Sequence, residues 1–362
     1  MHSVQHTVYL CRQKKTKKFV FHVTNVIVLR TYSRRNIKKL IIMKFKLYLF
    51  SVLFAAIPLI ACGCSNKNMA VENTGIKLHD NFKDFDSGII RKTLPLKDFH
   101  GINVASYAKV YYTQGSEYKV VFEGRESVCK GLSFDVHGGI LVVGFSKDTC
   151  INSFNSSSCN LYITAPNIDQ LHTSGFLTFY AKSLKTHILA VCNNGNMNLF
   201  IDKLKADSYS IINNGFMTNN GIFEVGRFEM QNFAAYSSKS DLKASEDMNL
   251  SNGGSVYING GIDARNIYWK SSSADYCEMD INAENVDFNI AGSGVINGKF
   301  KGDGISIKCD GAAKVNMDVD CSSVTAGVNG SGSITLSGTA DKTDIYGKGV
   351  SRVDTSRLNN FD

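Results

Sequence analysis

From residue 88 onward, apolar and polar residues alternate over short runs. Met197, Leu199 and Ile201 share one parity, and Asn196, Asn198 and Phe200 the other. Val256 and Ile258 oppose Ser255 and Tyr257. Val315, Met317 and Val319 oppose Asn316, Asp318 and Asp320, and Ile334 and Leu336 oppose Thr335 and Ser337. A period of two describes a strand with one core side and one solvent side. No segment after residue 62 keeps apolar residues at i, i+3, i+4 and i+7 over three turns, so no helix is predicted.

A short glycine-centred motif punctuates these runs. It reads Ser174-Gly175-Phe176-Leu177, Asn194-Gly195-Asn196-Met197 and Asn214-Gly215-Phe216-Met217. It continues through Gly253-Gly254-Ser255-Val256, Ser293-Gly294-Val295-Ile296, Ala312-Ala313-Lys314-Val315 and Ser331-Gly332-Ser333-Ile334. Weaker copies fill the gaps at Ala234-Ala235-Tyr236-Ser237 and Ser273-Ala274-Asp275-Tyr276, so the step is always 19 or 20 residues. Further short apolar runs precede each glycine (Leu189-Ala190-Val191, Tyr209-Ser210-Ile211) or lie between copies (Leu204-Lys205-Ala206, Ile262-Asp263-Ala264). Three short strands per repeat, with Gly and Asn at a sharp corner, make one coil of a solenoid. The predicted fold is all-β, a right-handed parallel β-helix of about 20-residue coils. Nine or ten coils at about 4.8 Å each give a rod roughly 45 Å long. A β-sandwich would explain the strands but not the constant step.

Residues 88–160 read as a hairpin-rich cap with the first coils, and 161–355 as regular coils. Val110–Thr113 and Tyr118–Val121 flank Gln114-Gly115-Ser116-Glu117, and Leu132–Val136 and Ile140–Val143 flank His137-Gly138-Gly139. Both read as hairpins. A solenoid end exposes unpaired strand edges and needs such a cap. The polar stretch Asp354–Asp362 reads as a frayed end.

Charge changes the picture only at the N-terminus. Residues 1–61 hold 12 of the 40 basic residues and no acidic one, leaving 28 basic against 32 acidic residues, a net of −4. The body is therefore not a nucleic-acid binder by charge. Met43-Lys44-Phe45-Lys46 followed by the apolar run Leu47–Ile60 reads as a signal peptide, too short to span a membrane. Residues 1–42 read as upstream sequence that is not translated, 43–61 as the signal and 62–87 as a polar tether. Leu59-Ile60-Ala61-Cys62 resembles the lipobox of bacterial lipoproteins, which implies cleavage after Ala61 and lipidation of Cys62. Acyl chains contribute about 0.8 kcal/mol per buried methylene, so several chains anchor a protein firmly. The expected location is the cell envelope, on the outer membrane.

One set of segments carries a family resemblance. Arg91-Lys92, Phe99–Val104, Val110–Gly115, Val120–Gly124, Gly139–Val143 and Leu161–Pro166 followed by Ser174-Gly175 are similar to the "head GIN domain" family of auto-transporter adhesins, as are Gly292-Ser293-Gly294 and Gly330-Ser331-Gly332. The resemblance covers roughly residues 88–350. It implies a β-helical domain on secreted or lipid-anchored proteins of Gram-negative bacteria, and it brings no catalytic motif. The chain departs from the pattern where Asn-Asn-Gly replaces Gly-Ser-Gly (Asn193–Gly195, Asn213–Gly215) and at Ala234-Ala235.

No catalytic, cofactor or metal site is read from the chain. Asp263, Asp280, Asp303, Asp318 and Asp320 fall on polar parities without forming a column. His79, His100, His137, His172 and His187 are dispersed, and no cysteine pair has zinc spacing. One pair among Cys129, Cys150 and Cys159 is a candidate bridge that spacing does not choose. Cys192, Cys277 and Cys309 read as buried thiols. Asn193, Asn213 and Asn252 read as an internal amide ladder. The position after each repeat glycine puts Phe176, Phe216 and Tyr236 in one column. Two readings stand for them: a contact surface for sugar rings or partner side chains, or core residues turned inward at the corner. Function then reads as a non-enzymatic, lipid-anchored envelope protein that binds glycans or envelope proteins. The alternatives are a carbohydrate-active β-helix enzyme and a purely structural envelope protein.

Overall fold

The structure is a computed structural model, and it describes residues 88–146, 159–347 and 352–360. All lie in one compact unit, Asn73–Asp362. The expected leader, Cys62 and tether, together with His79 and Cys150, lie outside the described residues. The chain builds a β-solenoid of about ten coils of about 19 residues.

The elements are β1 (Ile89–Leu94), β2 (Gly101–Val104), β3 (Tyr107–Gln114), β4 (Lys119–Arg125), α1 (Glu126–Gly131), β5 (Leu132–His137), β6 (Ile140–Phe145), β7 (Cys159–Ala165), β8 (Gln170–Thr173), β9 (Phe176–Ala181) and β10 (Leu184–Asn193). The regular coils follow: β11 (Asn196–Asn213), β12 (Phe216–Asn232), β13 (Ala235–Asn252), β14 (Ser255–Ser271), β15 (Ala274–Ile290), β16 (Ser293–Cys309), β17 (Ala312–Val328), β18 (Ser333–Gly347) and β19 (Arg352–Asn360).

Each regular coil is one long bent strand rather than the three short ones predicted. Alternating burial breaks twice in β11, at Asp202-Lys203 and Asp207-Ser208, where successive side chains both face outward. These bends and the glycine corner divide the coil into three sides. Neighbouring coils bend at matching positions, so the parallel ladder runs round the bends, with slips such as that at Ile201/Lys203. Glycine recurs at the corner because adjacent coils nearly touch there. A Cβ on Gly215 would lie 2.0 Å from the carbonyl oxygen of Gly195, and one on Gly195 would lie 2.2 Å from that of Gly175.

The observed register corrects the sequence alignment of the corners. Residues stacking on Gly175, Gly195 and Gly215 are Ala234, Gly254, Ser273, Gly292, Gly311 and Gly330. The first glycine of each Gly-Ser-Gly sits at the corner, not the second.

The N-terminal end is also more tangled than its hairpin signals suggest. The β5–β6 hairpin forms as expected, its turn using Gly138 (φ 57°) and Gly139 (φ 77°). The expected pairing of β3 with β4 does not form, because β7 lies between them, parallel to β3 and antiparallel to β4. Likewise β2 is sandwiched between β6 and β8. The chain thus lays down one coil, builds the cap, places a second coil outside the first, and then crosses to the first coil's other side. The helix α1 was not predicted. It has six residues, one buried side chain (Val128) and a Lys130–Glu126 ion pair of 2.9 Å, too little to leave a helical period. Of the stretch expected to fray, residues 354–360 lie in β19 and pair along β18.

Inside, the positions two and four past the corner are buried: Leu177 and Phe179, Met197 and Leu199, Val256 and Ile258. Cys192, Cys277 and Cys309 are buried thiols, as read from sequence, and Cys129 and Cys159 are not bridged to each other. The amide ladder is present and has four rungs. Asn193 Nδ2 donates to Asn213 Oδ1 (2.7 Å), Asn213 to Asn232 (2.7 Å) and Asn232 to Asn252 (2.8 Å). Each also donates to a carbonyl of the next coil, of Phe216, Ala235 and Ser255 respectively. Thr173 begins the column and Ser271 ends it. Truncating Asn213 removes the acceptor of Asn193 and the donor to Asn232 in a dry interior. Asn213→Ala is expected to cost about 3 kcal/mol, at least one buried polar group being left unpaired. A urea titration of residues 65–362 measures it, and a loss below about 1 kcal/mol would show that the rungs act independently.

Candidate binding face

Outward side chains on the side after the corner come from positions one, three and five past it. This side carries nine aromatic rings among the described residues: Tyr107 and Tyr111 of β3, Tyr162 of β7, Phe176 and Tyr180 of β9, Phe200 of β11, Phe216 of β12, Tyr257 of β14 and Tyr276 of β15. They fall into two sets.

The N-terminal set is stacked on itself. Tyr162, Tyr111, Tyr180 and Phe200 form a continuous pile, with centroids 5.1 Å apart and planes within 16°. Tyr107 and Phe176 form a second pile at 4.7 Å. The Arg91 guanidinium lies over the Tyr162 ring at 5.2 Å, and the Tyr162 hydroxyl donates to Glu123. Strands in register set identical side chains one coil apart, which brings aromatic rings into offset stacks. Stacking covers at least one face of each of these rings.

The second set is unstacked. Phe216 is 68% exposed, Tyr276 52% and Tyr257 43%. They border a shallow groove of about 470 Å³ whose floor is Ala235, Ser237 and Ser255. Asn196, Asn198 and Thr218 complete one end, and no charged residue lines it.

The structure separates the three residues that the sequence placed in one column. Phe216 stands on the groove, and Phe176 is exposed but covered on one side by Tyr107. Tyr236 is not a surface residue: it is 5% exposed and accepts a hydrogen bond from Asn219 Nδ2 at 3.0 Å, while Tyr209 donates to the same amide. The step from Gly215 is 19 residues to Ala234, not 20 to Ala235. Tyr236 therefore stacks on Met217, and Ala235 on Phe216. Tyr257 and Tyr276 escaped sequence reading because they stand two residues further from the corner than Phe216. The signal was their shared parity after it.

A larger groove of about 830 Å³ runs along the next side, lined by Lys185, Lys205, Lys243, His187, Asp207 and Glu224 among others. Its lining mixes signs, Lys185, Lys205 and Lys243 with Asp207, Glu224 and Asp263; His187 reaches Asp207 at 2.8 Å, and Lys203, outside the lining, reaches Glu224 at 2.8 Å. Asp263, Asp280, Asp303, Asp318 and Asp320 are all exposed. The Lys203 ammonium holds Glu224 below the usual carboxylate range, and Lys301 does the same for Asp320. Burial lowers His172. No group of three or more His, Cys, Asp or Glu side chains among the described residues is arranged to hold a metal. No described helix is long and apolar enough to cross a membrane.

A sequence profile described as "Putative auto-transporter adhesin, head GIN domain" matches residues 98–247 and 295–361. The chain belongs to this family. None of the curated proteins compared with it matches. Among solved structures, this head GIN domain is similar to a putative adhesin from Bacteroides fragilis (15% identity, TM-score 0.30, covering 74% of this chain and 96% of that one). It is similar to a putative lipid binding protein from Parabacteroides distasonis (16%, 0.38, 74% and 97%). It is also similar to a putative adhesin from Parabacteroides merdae (15%, 0.36, 74% and 97%).

Among the described residues one carboxyl is pushed above its usual range, and it is sealed inside. Asp275 occupies the core column of Tyr236 and Val256 and is wholly buried. Asn252 Nδ2 donates to its Oδ1 at 3.0 Å, and its Oδ2 has no partner. Burial pushes the group above the usual range, against the pull of such hydrogen bonds. The folded state therefore keeps this proton at a pH where the unfolded chain has lost it. The stabilisation is complete below the ordinary aspartate value of about 3.9 and is lost as pH rises through the folded value. Asp275→Asn, which supplies a neutral group at every pH, is expected to match the wild type near pH 4 and exceed it in thermal midpoint at neutral pH. Calorimetry across that range checks it, and parallel curves would show that Asp275 does not titrate with folding.

Proposed function

We propose that this protein is a lipid-anchored cell-envelope solenoid that acts by binding rather than by turnover. In this reading Cys62 holds it on the outer membrane and the aromatic side presents it to glycans or envelope proteins. Membership of an adhesin-described family supports the reading. The observation that carries it is the exposed, unstacked trio Phe216, Tyr257 and Tyr276 on a flat parallel sheet, since a large apolar surface left in water marks an interaction site. A rigid sheet suits this role because it loses little conformational freedom when it binds.

Two measurements test it. The soluble domain, residues 65–362, is expected to bind one or more members of a glycan array or an envelope-protein pull-down, and binding to neither would overturn the reading. Cys62→Ser is expected to shift the protein from the membrane fraction to the soluble exported fraction. Retention at the membrane would show that something other than a lipid at Cys62 anchors it.

A further inference from the structure

The groove bordered by Phe216, Tyr257 and Tyr276 has a chemistry that selects among ligands. Several outward asparagines elsewhere on the solenoid satisfy one another from coil to coil: Asn214 donates to Asn194 (2.8 Å), Asn285 to Asn266 (3.0 Å) and Asn316 to Asn297 (2.7 Å). Around the groove they do not. The side chains of Asn196, Asn198, Thr218 and Ser237 make no hydrogen bond to the described residues. The three bordering rings likewise lack the ring partners that hold the N-terminal set. A coil-to-coil ladder is one way to satisfy a polar column, and where it is absent beside unstacked rings, as here, donors and acceptors are left free next to open aromatic faces.

We infer that this groove is the binding site for a neutral polysaccharide chain lying along the solenoid axis; this rests on the binding reading above. Three features argue for that class. No charged side chain lines the groove, so neither an acidic polysaccharide nor a charged peptide finds a counter-charge in it. Aromatic faces alternate with amides and hydroxyls, which matches a sugar ring's apolar face and hydroxyl rim. From β12 to β15 the rings span three coil steps, about 14 Å, so a single sugar cannot reach both Phe216 and Tyr276 whereas a short chain can.

The test uses the soluble domain against a panel of neutral polysaccharides (glucans, mannans, galactans) and polygalacturonate, read by affinity electrophoresis and calorimetry at low and high salt. The expected result is binding to at least one neutral polysaccharide, unchanged by salt. Phe216→Ala, Tyr257→Ala and Tyr276→Ala are each expected to weaken it roughly three- to tenfold, with unchanged urea midpoints because all three side chains face outward. Tyr268→Ala on another side is expected to leave it unchanged, and Tyr257→Phe to retain most of it. Binding to polygalacturonate alone, falling with salt, would overturn the assignment. So would neutral-polysaccharide binding that survives all three alanines. Binding of an envelope protein but of no polysaccharide would overturn it too, while leaving the broader binding reading intact.

Discussion

Stacking of parallel coils in register places every side chain directly on its counterpart one coil away, about 4.8 Å distant. Each column must therefore tolerate its own repetition. Apolar columns do so without cost. A buried polar column survives only if each member can both give and take a hydrogen bond, which an amide does and a carboxylate does not. The column of Asn193, Asn213, Asn232 and Asn252 meets that condition, and where it ends at Ser271 the neighbouring column takes in Asp275. The same constraint acts on the exterior, where like residues in register form the N-terminal aromatic piles and the amide pairs.

The two periods of the chain, one of two residues and one of 19 or 20, made the solenoid and its core parity legible. Phase was harder. Gly292-Ser293-Gly294 offers two glycines for one corner, and Ala234-Ala235 offers two alanines. Backbone contact decides for Gly292 and Ala234, which stack on the corner residues Ser273 and Gly215 of the coils before, while Gly294 is kept small by a separate contact, a Cβ there lying 1.9 Å from the Asp275 carbonyl oxygen. A slip of one residue reverses inside and outside, which is why Tyr236 could be read as surface while it is core. Asn232 was missed for the same reason. Its motif reads Asn232-Phe233-Ala234, and the glycine that marks the other rungs is gone.

Local signals gave one hairpin of the cap, β5–β6, and misled on the other. Gln114-Gly115-Ser116-Glu117 has the composition of a hairpin turn, and local sequence favours joining β3 to β4. The partner that prevails is β7, 45 or more residues further on, because inserting it continues the parallel ladder of the coils on one edge and offers the antiparallel cap strands the other. Long-range pairing of this kind leaves no periodic trace.

The division of the aromatic side follows from these same rules. At the N-terminal end, Tyr111, Tyr162 and Tyr180 share a column, so stacking consumes their faces and serves the fold. Further along, Phe216 meets Asn196 and Ala235 in its column, and no ring is available to cover it. Tyr257 has a ring in register, Tyr276, yet the two stay apart and both remain about half exposed. An aromatic face is thus exposed where its column holds no second ring, as at Phe216, or where rings in register do not stack, as at Tyr257 and Tyr276. Coils β12 to β15 are where the head GIN domain presents ring surface that its own stacking leaves unused.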